Sequence, residues 1–215
     1  MAVIFAGGEI QDYQALKKLI PDKSYIICAD GGTRHARAMG LIPNLIIGDM
    51  DSVQLELLNY YQGKGTVICY YPTEKDEVDT ELAIREAVKA GSKEILLLGA
   101  TGGRLDHTLA NVHLLVAAAK LGVRGTIIDE QHRISLVTPQ LPGEIKGETG
   151  DLVSLIPLTS EVTGVFSTGL KWELVDRSFN IGHPFGISNE LTGSTAAITV
   201  REGILLMIRV WNKGG

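Results

Sequence analysis

Carboxylates recur in this 215-residue chain directly after short apolar runs. Cys28-Ala29 leads into Asp30-Gly31-Gly32, and Ile46-Ile47 leads into Gly48-Asp49-Met50-Asp51-Ser52. A third group, Glu74, Asp76, Glu77 and Asp79, precedes a helical run. Asp49 and Asp51 stand at i and i+2, so in an extended chain their side chains point the same way. Two like charges that close are unfavourable unless a cation sits between them. Gathering Asp30, Asp49, Asp51 and Asp79 would also repel any phosphate. A divalent cation relieves both repulsions. An all-oxygen set, with no thiolate and no paired imidazole, points to Mg²⁺. The five histidines, His35, His107, His113, His132 and His183, show no metal-ligand spacing.

The opposite charge comes from Arg104, inside Gly102-Gly103-Arg104-Leu105-Asp106. Backbone amides at a helix start, joined by a guanidinium, form a site for a phosphate chain. Metal, arginine and glycine-rich amides together suit phosphoryl chemistry, where positioning and charge neutralisation supply most of the catalysis. Each residue alone has a plainer explanation. Asp79 and Asp106 precede helical runs, as N-caps do. Asp76 and Glu77 read as solvated loop charges, and Gly pairs as tight turns. No Gly-x-x-x-x-Gly-Lys-Ser/Thr loop is present, which excludes a Walker-type nucleotidase. No Gly-x-Gly-x-x-Gly follows the first apolar run, which weakens a dinucleotide-dependent dehydrogenase.

The elements that must position these loops follow from hydrophobic period. Apolar runs at Ala2–Ala6, Tyr25–Ala29, Leu45–Ile47, Thr66–Tyr71, Glu94–Leu98 and Gly125–Asp129 read as strands. Helical period occupies Thr80–Ala90 and Leu105–Leu121. Strands that are apolar throughout, alternating with helices, imply a mostly parallel Rossmann-like sheet in three layers, covered on both faces. In such sheets ligands bind beyond the carboxyl ends of the strands, where the carboxylates and Gly pairs lie. After about His132 the period changes. Short β-type runs appear at Arg133–Val137, Leu152–Pro157, Gly164–Phe166, Gly169–Leu174, Thr195–Val200 and Gly203–Val210, with Glu202-Gly203 as a hairpin turn. The expectation is an α/β domain over 1–131 and a small all-β sandwich over 132–215.

Composition narrows the functional classes. With 45% hydrophobic and 21% charged residues, the chain has the usage of a folded protein. The formal net charge of −5 argues against nucleic acid as a partner. Glycine, 25 of 215, is about 12% against a usual ~7%, which favours tight turns and close backbone approach to ligands. No apolar stretch nears the ~18 residues of a membrane span, and the start carries no basic leader. Cys28 and Cys69 stand in apolar runs with no Cys-x-x-Cys pair, as expected of reduced thiols in a cytoplasmic protein.

As a set, these spellings are specific. Cys28-Ala29-Asp30-Gly31-Gly32, Gly48-Asp49-Met50-Asp51-Ser52, Asp76-Glu77-Val78-Asp79-Thr80-Glu81 and Gly102-Gly103-Arg104-Leu105-Asp106-His107, in this order and separation, resemble the thiamine pyrophosphokinase family. Gly169-Leu170-Lys171-Trp172-Glu173-Leu174 and Ser188-Asn189-Glu190 resemble motifs of its second domain. The resemblance implies ATP and Mg²⁺ on the first domain, thiamine held with help from the second, and a homodimer with its sites at the subunit interface. It implies metal and phosphate roles for Asp30, Asp49, Asp51 and Asp79, with Asp49, Asp51 and Asp79 closest to catalysis. It implies nucleotide contacts at Asp30, Gly31, Gly32, Gly102, Gly103, Arg104 and Asp106. Trp172, Ser188 and Asn189 match positions near the thiamine, and Asp76 is placed with them. Read as a strand, Gly169–Leu174 puts Trp172 on one face with Leu170 and Leu174, and its indole can stack on an electron-poor cationic ring. The expected activity is transfer of pyrophosphate from ATP to thiamine. The rival is a non-catalytic nucleotide sensor with a β-domain effector, which has no use for four carboxylates around a metal.

Overall fold

Every residue of Ala2–Phe5 is buried, and so are all but the first of Tyr25–Ala29 and Glu94–Leu98. A strand buried on both faces loses its period of two and reads as a continuous apolar run, so these segments were legible as strands of a covered parallel sheet. The computed structural model describes residues 1–211. The chain divides into two compact units, 1–130 and 131–215, and residues 212–215 of the second lie outside the described residues.

The first unit runs β1 (Ala2–Phe5), α1 (Tyr13–Lys17), β2 (Tyr25–Ala29), α2 (Thr33–Ala38), β3 (Leu45–Gly48), α3 (Leu55–Gln62), β4 (Val67–Tyr70), α4 (Asp79–Lys89), β5 (Glu94–Leu98), α5 (Leu105–Lys120) and β6 (Arg124–Ile128). Six parallel strands pair in the order β6-β5-β1-β2-β3-β4. After β1 the chain proceeds toward β2, and after β5 it proceeds toward β6. The connections part beside β1 and β5, which opens a crevice at their carboxyl ends. The loops there are fastened together: the Gly8 amide donates to the Gly99 carbonyl at 2.7 Å, and the Glu9 amide donates to Thr101 at 3.1 Å. A side chain at Gly8 would collide with both of those carbonyls.

The second unit contains β7 (His132–Val137), β8 (Gly143–Lys146), β9 (Leu152–Pro157), β10 (Glu161–Thr168), β11 (Arg177–Asn180), β12 (Asn189–Glu190), β13 (Thr195–Thr199) and β14 (Leu205–Val210). Antiparallel pairing gives one layer β12-β9-β14-β7 and another β11-β10-β13-β8. Burial alternates along β8, β9 and β13, and the inward residues of both layers share one core that includes Val153, Leu155, Val165, Phe179, Ile198 and Met207. This is a β-sandwich. Among the described residues no helix is long and apolar enough to cross a membrane.

Gly169–Leu174 is not a strand: Gly169 takes φ +77° just past β10, and only Leu170 bridges to Leu191. Glu202-Gly203 is not a hairpin turn, because β13 and β14 belong to different layers and the chain crosses between them there. The run at Gly164–Phe166 is the middle of an eight-residue strand, and Gly164 at φ +62° sits where its pairing register shifts. A bulge of this kind breaks the alternation that a sequence pattern depends on.

Gly32 follows Asp30 in a tight turn at the end of β2. An added Cβ would penetrate the Phe5 carbonyl at the end of β1, which is backbone and cannot step aside. Gly32→Ala is therefore expected to destabilise the protein by about 2 kcal/mol or more. Urea unfolding checks this; a midpoint equal to that of the wild type would show that β1 and β2 are not packed this tightly.

Candidate active site

Three carboxylates from three separate elements meet beyond the strand ends of the first unit. Asp30 follows β2, Asp49 follows β3, and Asp79 opens α4, where the helix N-terminus favours negative charge. One oxygen of each lies within 4.8 Å of the others, and all three residues are half-buried. The backbone is shaped to allow this. Asp30 adopts φ +41° and Gly48 φ +145°. A Cβ on Gly48 would fall 3.0 Å from Asp30 Cβ and 3.2 Å from Asp79 Cγ, so glycine there lets the two acidic side chains close over the strand end.

The electrostatics of the group are unresolved by the protein alone. Asp30 Oδ1 and Asp79 Oδ1 are buried and accept no hydrogen bond. Lys75 Nζ lies 3.0 Å from that same Asp79 oxygen, an ion pair by distance whose angles do not make a hydrogen bond. Burial pushes the Asp30 carboxyl above the usual carboxylate range, with the charges of Asp51 and Asp79 adding to it and hydrogen bonds from Ser52 and Gly31 opposing it. Asp49 is held below that range, chiefly by the Asp51 amide that donates to its Oδ1 at 3.2 Å. Orphaned buried oxygens in an oxygen-only set fit a hard divalent cation such as Mg²⁺.

Asp51 is not one of the three. It is exposed, and its Oδ1 accepts from Ser52 Oγ at 2.9 Å. The extended chain assumed for the i, i+2 pair is broken at Met50, which adopts φ +64°. Asp79 and Asp106 are not N-caps either: Val78 and Arg104 hold the cap positions, without side-chain cap bonds. Asp76 lies on the exposed loop before α4 and lines neither cavity described here.

The triad borders a cavity of about 680 Å³ whose walls include Gly7, Gly8, Gly31, Gly102, Gly103 and Arg104. Gly32 stands behind Gly31 in the same turn. Arg104 is 71% exposed and pairs with Asp106 at 2.6 Å, which lowers Asp106 to about 2. Two residues without a sequence signal support this rim. The Arg34 guanidinium donates to the carbonyls of Gly7 and Gly8, both at 2.7 Å, and of Gly31 at 3.1 Å. His35 is buried, with Nε2 2.9 Å from the Gly8 carbonyl and Nδ1 2.9 Å from the Tyr13 hydroxyl. A carbonyl can only accept, so Nε2 carries the proton and Nδ1 accepts from the tyrosine.

The second unit has its own cavity, also about 680 Å³, lined by Trp172, Phe185, Ile187, Ser188 and Asn189 among others. Trp172 is 56% exposed, neither a core residue nor on a face with buried Leu170. Its backbone is clamped by Asn189, whose Oδ1 accepts from the Trp172 amide at 3.1 Å while Nδ2 donates to the Trp172 carbonyl at 2.8 Å. Lys171 Nζ sits 4.7 Å from the indole centroid and 2.9 Å from Glu190. Ser188, at φ +60°, donates its amide to Ser154 Oγ at 3.1 Å.

Burial, with the Arg34 charge adding, lowers His35 to about 4. The unfolded chain titrates near the ordinary 6.5, so between the two values it binds a proton that the folded protein refuses. Stability is expected to fall as pH drops from about 6.5 to about 4, by at most about 3 kcal/mol, and His35→Gln should flatten that slope. Denaturation at stepped pH checks this; equal slopes in both proteins would contradict a neutral buried imidazole.

The family model described as thiamin pyrophosphokinase, catalytic domain, matches residues 16–127. The one described as thiamin pyrophosphokinase, vitamin B1 binding domain, matches residues 134–205. The thiamine pyrophosphokinase of Bacillus subtilis is 32% identical over 213 residues, covering 96% of each chain. The crystal structure of the Bacillus subtilis protein superposes with a TM-score of 0.87, covering 98% of each chain at 29% identity. That of the Geobacillus thermodenitrificans thiamin pyrophosphokinase gives 0.85 at 31% identity, covering 100% of this chain and 99% of the other.

Proposed function

The chain belongs to the thiamin pyrophosphokinase family, and from that premise we propose how its residues carry the reaction. The enzyme transfers the pyrophosphoryl group of ATP to the hydroxyl of thiamine, giving thiamine diphosphate and AMP. The observation that supports this division of labour is the triad with two orphaned buried oxygens, set in a cavity rimmed by glycine loops. Asp30, Asp49 and Asp79 would hold Mg²⁺, which would neutralise charge on the phosphate oxygens. Gly31, Gly102 and Gly103 line the cavity that would take the phosphate chain, with Gly32 behind Gly31, and Arg104 would leave Asp106 to join them. The thiamine hydroxyl oxygen attacks the β-phosphorus in line. The bond from that phosphorus to the α,β-bridging oxygen breaks, AMP departs, and the hydroxyl proton passes to a carboxylate of the acidic group, which includes Asp51. A nucleotide sensor would have no use for this acidic group.

Trp172 supplies the thiamine-binding face. Its exposed indole suits the electron-poor rings of a cation, Asn189 fixes its backbone, and Ser188 borders the same cavity. Asp76 adds negative charge on the approach to the triad. The second unit also exposes Phe166, Val175, Ile181 and Phe185. We infer a homodimer with its sites at the subunit interface, in which a second copy of the chain would cover exposed apolar side chains of this kind. The two free cysteines suit a reducing compartment, and we place the enzyme in the cytoplasm.

The test is incubation with ATP, Mg²⁺ and thiamine, followed by separation of the nucleotides. AMP in equal amount to thiamine diphosphate is expected; ADP as the nucleotide product would refute β-phosphorus attack. Trp172→Ala should raise the thiamine KM about tenfold, the loss of ~1–2 kcal/mol of stacking, and leave the ATP KM unchanged. Equal losses for both substrates would place Trp172 outside the thiamine site.

A further inference from the structure

Three Lys or Arg side chains line the first-unit cavity among the described residues: Arg34, Lys75 and Arg104. Two already have other work. Arg34 spends its guanidinium on three glycine carbonyls, and Arg104 pairs with Asp106 out in solvent. Lys75 differs from both. Its side chain is only 13% exposed, its Nζ donates to the Pro72 carbonyl at 3.1 Å, and it lies 3.0 Å from the orphaned Asp79 oxygen. Its charge also reaches Asp49. One ammonium is thus packed against the carboxylates that a divalent cation would need.

An ammonium and a divalent ion compete for the same oxygen. With the cation on the triad, Lys75 loses most of its attraction to Asp79 and is repelled by the ion. Its four-carbon stem is flexible and its charge compact, so it can turn within the cavity. The strongest negative charge then available is the nucleotide phosphate chain. We propose, resting on the reading above, that Lys75 is the counter-charge of the empty triad and is handed from Asp79 to the phosphates when metal and nucleotide enter. It both weakens metal binding to the free enzyme and strengthens nucleotide binding.

The two roles predict effects of opposite sign, which a merely structural lysine would not give. Mn²⁺ is titrated into the full-length, nucleotide-free protein by electron paramagnetic resonance. An ATP analogue with a methylene between the α- and β-phosphorus is titrated by calorimetry in saturating Mg²⁺. Lys75→Met should bind Mn²⁺ about tenfold more tightly and the analogue about tenfold more weakly, while Lys75→Arg stays near wild type for the analogue. Metal affinity that fails to rise, or analogue affinity that fails to fall, overturns the proposal. If Lys75→Met does not fold, Lys75→Gln carries the same titrations. Neither titration requires turnover, so absence of thiamine diphosphate formation by the wild type would refute the functional reading without touching this one.

Discussion

The repulsion among Asp30, Asp49 and Asp79 is the constraint on which the rest of the site depends. A folded protein gains nothing by holding three carboxylates within 4.8 Å and leaving two of their oxygens buried without a donor. The local structure is nonetheless built to hold them there. Asp30 occupies a left-handed conformation, Gly48 surrenders a side chain so that Asp30 and Asp79 can approach, and Asp79 opens a helix whose terminus favours its charge. Such strain persists when surrounding structure over-determines it, here strands β1 to β3, buried throughout except at Tyr25. The fold stores an electrostatic deficit at one sheet edge, and on the proposed reading a divalent cation with its phosphate ligand would make it good.

The two units contribute different chemistry. The parallel sheet supplies charge and backbone amides from loops that converge because all six strands end on one side. The sandwich supplies an aromatic face whose key residue lies off the strands, held by an asparagine that bonds the tryptophan backbone at both ends. On the proposed reading Asn189 acts on thiamine through Trp172. A cationic ring system and a polyphosphate have opposite requirements, and the proposed assignment gives each a cavity of matching chemistry.

The sequence made the acidic group legible because buried parallel strands read as continuous apolar runs and the carboxylates stand just past them. Asp51 stands beside the triad and outside it, since side-chain alternation holds only while the backbone stays extended and Met50 leaves that region. The sequence pattern misread Gly169–Leu174 for the same reason at Gly169. Strands β8, β11 and β12 hold at most one large apolar residue each, so no apolar run marks them. Arg34 and His35 left no pattern because their partners are mainly backbone carbonyls 26 or 27 residues away. Lys75 stands beside Asp76 and Glu77 in a charged loop with no pattern of its own, and only the tertiary structure brings it to Asp79.

The central claim is that the triad is an electrostatic deficit relieved by a divalent cation. The most direct measurement is the melting temperature of wild type and Asp79→Asn, with and without Mg²⁺. Removing one charge from the cluster should leave the metal-free variant as stable as the wild type or more so. Mg²⁺ about a hundredfold above its Kd should raise the wild-type melting temperature by several degrees and the variant's far less. A wild-type melting temperature indifferent to Mg²⁺, together with a metal-free variant less stable than wild type, would show that Asp79 serves the fold and not a cation.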